Sequence, residues 1–122
     1  MNFPADAPVT SAKGDALRAR IARLGIDLGR VEETAIRSGG PGGQKVNKTA
    51  SGVRLRYPLG EETLLVKWTH ERSHALNRFL ALRELVDEIE ARVSPATSER
   101  LRERARIRRR KDRSRRRAAD PS

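Results

Sequence analysis

Between residues 52 and 93 the spacing of apolar residues changes period once, and that change restricts the chain to few folds. Residues 52–58 alternate Val53, Leu55 and Tyr57 with Arg54 and Arg56, the two-residue period of a half-buried strand. Leu59-Gly60-Glu61-Glu62 makes a turn. Residues 63–69 then set Leu64, Val66 and Trp68 on one face and Leu65 and Lys67 on the other, so the pair reads as a hairpin. From Ser73 the spacing becomes helical. Leu76, Phe79, Leu80, Leu82, Val86, Ile89 and Val93 form a broad apolar stripe that predicts a helix over 73–93. Ser73 suits its N-cap, and Ser94-Pro95 stops it. A small antiparallel sheet packed by helices on one face buries both patterns, which is an α+β domain.

The residues before the hairpin extend this layout. Leu17, Ile21 and Leu24 recur at helical spacing from about Ser11 to Leu24, with Leu28 continuing the stripe. Ser11 or Asp15 could cap this helix, Gly14 weakens its first turn, and Gly25 could end it. Residues 31–37 suit a strand, with Thr34 and Ile36 in β-favouring company. Residues 1–10, with Pro4 and Pro8, are expected to be disordered. The expected organisation is a disordered 1–10, a folded domain over 11–95 and an Arg-rich basic tail over 96–122.

Charge is the second constraint. The chain of 122 residues carries a net charge of +11, a signature of a polyanionic partner, nucleic acid before an anionic membrane surface. Residues 94–122 hold a net +8 of it. This tail has almost nothing apolar beyond Leu101 and Ile107, so it is expected to be disordered or partly helical, or to become helical on RNA. Arg108, Arg109, Arg110, Lys111, Arg113, Arg115, Arg116 and Arg117 are its candidate phosphate contacts. The bland alternative is a solubilising tail. No apolar run is long enough to span a bilayer. Cysteine is absent, so neither a disulfide framework nor a thiolate metal site is available. The first residues lack the pattern of a signal peptide. A cytoplasmic, bacterial setting is expected, with a mitochondrial one as the alternative.

The strand over 31–37 runs into Arg-Ser-Gly-Gly-Pro-Gly-Gly-Gln-Lys-Val-Asn-Lys-Thr at 37–49. Glycines let a backbone come close to another molecule, and Pro41 stiffens the run. Gln44 is the one large polar side chain at its tip. The segment thus offers backbone N–H groups, an amide and nearby cations on a bare loop. A plain glycine linker lacks such features. A P-loop needs Gly-Lys-Ser/Thr, whereas here Gln44 precedes Lys45 and Val46 follows it.

This run resembles the catalytic signature of the class I peptide chain release factors and of the shorter ribosome-rescue factors related to them. Gly42-Gly43-Gln44, then Lys45, then Val46-Asn47-Lys48-Thr49 carry the likeness, with Ser38-Gly39-Gly40-Pro41 ahead. It resumes at Glu71-Arg72-Ser73 and Asn77, and covers about residues 31–93. The family usually has Gln at the position of His74 and commonly His at that of Lys45. The resemblance implies that Gly42, Gly43 and Gln44 are catalytic, promoting hydrolysis of the peptidyl-tRNA ester in the peptidyl transferase centre of the large ribosomal subunit. Asn47, Lys48 and Thr49 then support the loop and touch RNA, Lys45 is a further candidate RNA contact, and Arg72 either braces the helix start or meets rRNA. It implies rRNA and peptidyl-tRNA as partners, no membrane, no cofactor, and action as a monomer. A catalytic domain running straight into a basic tail, with no room in 122 residues for codon-reading domains, looks like the codon-independent rescue factors.

Other chemistry is poorly supplied. His70 and His74 are four apart, but the strand-to-helix boundary separates them and no third metal ligand stands out. No nucleophile elbow is present. Preorganised N–H donors can instead stabilise an oxyanion, and the backbone N–H of Gln44 could be one. The rival reading is a non-catalytic ribosome- or RNA-binding factor. A general single-strand binder would need more exposed rings than Phe3, Tyr57, Trp68 and Phe79 provide.

Overall fold

The computed structural model describes residues 1–37 and 51–119. In chain order it comprises α1 (Ser11–Leu24), β1 (Glu32–Ile36), β2 (Gly52–Leu59), β3 (Glu62–Trp68), α2 (His74–Val93) and α3 (Glu99–Ala119), with short 3-10 turns at Leu28–Arg30 and Pro95–Thr97. The strands form one antiparallel sheet in the order β1-β2-β3, so the protein is an α+β fold. Two compact units are present, Met1–Val86 and Asp87–Ser122, and their boundary falls within α2.

The register of the first unit follows from its side-chain alternation. Val53, Leu55 and Tyr57 on β2 and Leu64 and Val66 on β3 are buried, whereas Arg54, Arg56, Leu65 and Lys67 are exposed. A slip by one residue would carry the whole apolar set to water. Leu59 pairs with Glu62, which leaves Gly60 and Glu61 as a two-residue turn. Gly60 sits at φ 62°, the left-handed value that hairpins with a leading glycine require. On α2, Phe79, Leu82, Leu85 and Val86 are fully buried. A side chain of this size contributes about 1.5–3 kcal/mol when taken out of water. Arg78 of α2 pairs with Glu33 of β1, which holds the helix to the sheet edge.

Several expectations are refined. The Thr10 side chain, not Ser11 or Asp15, caps α1, accepting from the Lys13 N–H at 3.3 Å. Gly25 ends the helix at φ 68°, and Ile26 beyond it is buried while Leu24 is only half-buried. Ser73 caps α2 as expected, its Oγ accepting from the Leu76 N–H at 3.2 Å. Val93, placed in the apolar stripe, is 50% exposed because it lies in the last turn. Residues 1–10 make contacts with the rest of the first unit. The Phe3 ring meets Phe79 edge to face at 6.4 Å and lies under the Arg18 guanidinium at 4.1 Å. Pro4 is fully buried.

In the second unit α3 runs over Glu99–Ala119. Ser98, itself buried, caps it by accepting from the Leu101 N–H at 3.2 Å. Arg102–Glu99 and Arg106–Glu103 pair at i,i+3, both at 2.7 Å. Glu99 in the first turn and Arg116 and Arg117 in the last complement the helix dipole.

Candidate functional site and its supports

Gly42, Gly43, Gln44, Lys45, Asn47 and Lys48 lie outside the described residues. What the structure gives is the frame from which residues 38–50 leave and to which they return. Ile36 and Gly52 are direct cross-strand partners at the ends of β1 and β2. The segment therefore departs and re-enters at a single rung of the ladder. The backbones are tight there. A Cβ added to Gly52 would stand 2.6 Å from Thr69 Cγ2, closer than real carbon contacts allow, and 3.0 Å from the Ile36 carbonyl oxygen, a tight approach. Only glycine fits without a shift.

The returning end is pinned by Asn77, a fully buried amide in the first turn of α2. Its Nδ2 donates to the Ser51 carbonyl at 2.7 Å and to the Glu71 carbonyl at 2.8 Å, and its Oδ1 accepts from the Glu71 N–H at 3.0 Å. One side chain thus joins the end of the glycine segment, the β3–α2 connection and the helix start. His74 lies exposed on the helix surface, and its Nδ1 is 3.0 Å from the same Ser51 carbonyl. Trp68 is half-buried, with its ring edge to face with His70 at 5.1 Å. Its Nε1 is buried and lacks a hydrogen-bond partner among the described residues. Arg72 is exposed beside this bracket.

Sequence reading quoted Asn77 only as part of a matching motif, and it missed Ser51 and Gly52. A signal for Asn77 existed. It falls between Leu76 and Phe79 on the apolar side of the helix, where a polar residue must find partners.

The remaining candidate contacts belong to the second unit. Arg108, Arg109, Arg110, Lys111, Arg113, Arg115, Arg116 and Arg117 are all exposed on α3. Arg102, Arg106, Arg109, Arg110 and Arg113 line one shallow groove, the three-and-four spacing that stacks side chains along a helix. At the helix start the arginines are committed elsewhere. Glu88 receives Arg92 at 2.7 Å, Arg100, and Arg104 at 3.4 Å, while Arg100 also reaches Asp87 at 3.3 Å. Burial pushes the Glu88 carboxyl up, but hydrogen bonds and charge from Arg92 and Arg100 outweigh it and hold the group below its ordinary value. Among the described residues no helix is long and apolar enough to cross a membrane.

A hairpin whose rung launches a Gly-Gly-Gln segment, braced by a buried asparagine, can be compared with known proteins. The RF-1 domain profile matches residues 19–121. The chain belongs to the RF-1 domain family. It is 42% identical over 66 residues to a protein named peptide chain release factor 1 from Parabacteroides distasonis, covering 49% of this chain and 18% of that relative. Proteins of the same name from Bacteroides fragilis and Bacteroides thetaiotaomicron match at 41% over the same shares. The chain therefore aligns with about 18% of the length of these relatives. The match extends through α2 and α3 as well as the sheet.

Proposed function

We propose that this chain is a ribosome-dependent, codon-independent peptidyl-tRNA hydrolase that frees nascent peptide from stalled ribosomes or large subunits. The observation that carries this reading is Gly42-Gly43-Gln44 with Val46-Asn47-Lys48-Thr49 behind it, within an RF-1 domain. Water attacks the ester carbonyl carbon. The bond to the tRNA ribose oxygen breaks, that oxygen takes up a proton, and the peptide leaves as a free carboxylic acid. The backbone N–H of Gln44 stabilises the developing oxyanion, a contribution on the order of 3 kcal/mol for one well-placed donor. The glycines permit the backbone turn that presents this donor, and the Gln44 side chain restricts which nucleophile enters. Lys45, Asn47, Lys48 and Arg72 contact rRNA around the loop. The exposed cations Arg108, Arg109, Arg110, Lys111, Arg113, Arg115, Arg116 and Arg117 hold phosphates along α3.

The Arg-rich helix that follows the sheet-bearing unit supports the codon-independent subtype, because its contacts read phosphate charge and not base identity. No cofactor takes part, and the chain acts as a monomer. The deciding assay is peptide release from ribosomes carrying mRNA truncated at the P site, beside ribosomes carrying a stop codon. Release on the truncated complex without a stop codon is expected. Gly43→Ala, which disturbs the turn that presents this donor, should cut it by about two orders of magnitude, whereas Gln44→Ala, which keeps the backbone N–H, should cut it less and admit small nucleophiles other than water. Equal release by these variants would overturn the catalytic reading, and salt-sensitive binding without release would leave a non-catalytic RNA-binding factor.

A further inference from the structure

The outer face of the sheet carries an arrangement that folding alone does not account for. On this face Arg54 of β2 stands directly opposite Lys67 of β3, with Thr34 of β1 completing the row. All three are exposed. Neither cation has an ion-pair partner among the described residues. Like charges directly opposite across two strands oppose folding. The next row shows that the sheet can do otherwise. There Arg56 is opposite Glu32 and pairs with it at 3.6 Å, with the exposed Leu65 on its other side.

The uncompensated row is also the nearer one to the glycine segment. Ile36 and Gly52 form the rung that launches residues 38–50. Arg54 and Thr34 lie two residues further along their strands, one side-chain row away, roughly 7 Å at the strand rise. Charge is thus cancelled at the far row and left open beside the segment.

We infer that Arg54 and Lys67, with the Thr34 hydroxyl beside them, form a docking surface for the phosphate backbone of structured RNA at the root of the glycine segment. Charge complementarity selects the occupant. Two adjacent cations on a flat, rigid sheet match successive phosphates, and no aromatic ring stands in the row to stack bases, so backbone is held without sequence readout. The surface deepens the proposed function and rests on it only for the identity of the RNA, which becomes large-subunit rRNA. It is independent of the α3 cations, which belong to a separate unit.

The test measures the affinity of the full chain for isolated large ribosomal subunits across a salt series, together with peptide release. Arg54→Ala/Lys67→Ala should lower the slope of log affinity against log salt by about 2, roughly one per cation removed. Its thermal midpoint should hold or rise, since the opposed charges are gone. Lys67→Glu, which places a carboxylate opposite Arg54, should raise the midpoint further and weaken binding more. An unchanged slope in the double variant overturns the surface. A wild-type chain that binds subunits but releases no peptide overturns the proposed activity, while the slope still decides the surface. A wild-type chain that does not bind subunits overturns both.

Discussion

Replacing Asn77 by alanine should destabilise the first unit more than any surface change, and the size can be worked from its bonds. The amide is fully buried and makes three hydrogen bonds, two as donor and one as acceptor, at 2.7–3.0 Å. At about 1 kcal/mol net for each, their loss costs about 3 kcal/mol before any cavity is counted. His74 remains near the Ser51 carbonyl, so that acceptor keeps one partner, whereas both backbone groups of Glu71 lose theirs. For a domain of this size about 3 kcal/mol lowers Tm by roughly 10–15 °C. Asn77→Asp keeps the shape and the bond to the Glu71 N–H but turns oxygen toward two carbonyls, so it should fall at least as far at neutral pH. Thermal unfolding followed by far-UV circular dichroism reads the midpoint. Peptide release assayed well below that midpoint should also fall, because Ser51 closes the glycine segment. A Tm within about 3 °C of wild type for Asn77→Ala would refute the bracket, since three buried bonds are worth more than that.

Three further outcomes follow from particular contacts. Gly52→Ala should cost about 2 kcal/mol in chemical denaturation, from the 2.6 Å approach to Thr69 Cγ2, and adding Thr69→Ser, which removes that methyl, should recover part of it. Glu88 titrates below its ordinary 4.5 in the folded chain, so its contribution is complete above pH 4.5 and fades as pH falls through the lower folded value. Glu88→Gln should therefore lose about 1–2 kcal/mol at pH 7, seen as reduced helicity on heating, and differ less from wild type in acid. A tail that occupies the empty mRNA channel predicts that truncation after Pro95 abolishes binding to stalled whole ribosomes and spares binding to isolated large subunits, measured by co-sedimentation, whereas a factor that acts on split large subunits predicts no such difference.

The sheet and α2 were legible because each writes its period into a buried face. Val53, Leu55 and Tyr57 alternate with arginines, and Phe79, Leu82, Val86 and Ile89 recur at helical spacing. Gly25 and Ser73 acted as the terminator and cap their chemistry allows. The misreadings share a cause. Thr10 in place of Ser11 and Ile26 in place of Leu24 both depend on what a short segment meets in three dimensions, which local pattern does not encode. Glu99 and Glu103, placed to meet Arg102 and Arg106 three residues on, give α3 a charge pattern that was already visible in the sequence as a partial helix. At the site, the Gly-Gly-Gln motif stands in the letters of the chain, but the bracket that supports it does not. Asn77 and Ser51 are 26 residues apart, and only the fold makes them neighbours.

The shared rung of Ile36 and Gly52 has a consequence for how such a chain can vary. Material inserted or deleted between Arg37 and Ser51 enters and exits through one fixed gate, and the closure entropy of a longer excursion grows only slowly. The hairpin below need not change its pairing. One extra residue inside β2, by contrast, would turn Arg54 inward and Val53 outward. The scaffold is therefore a socket for interchangeable tips, tolerant of grafts above the rung and intolerant of any below it.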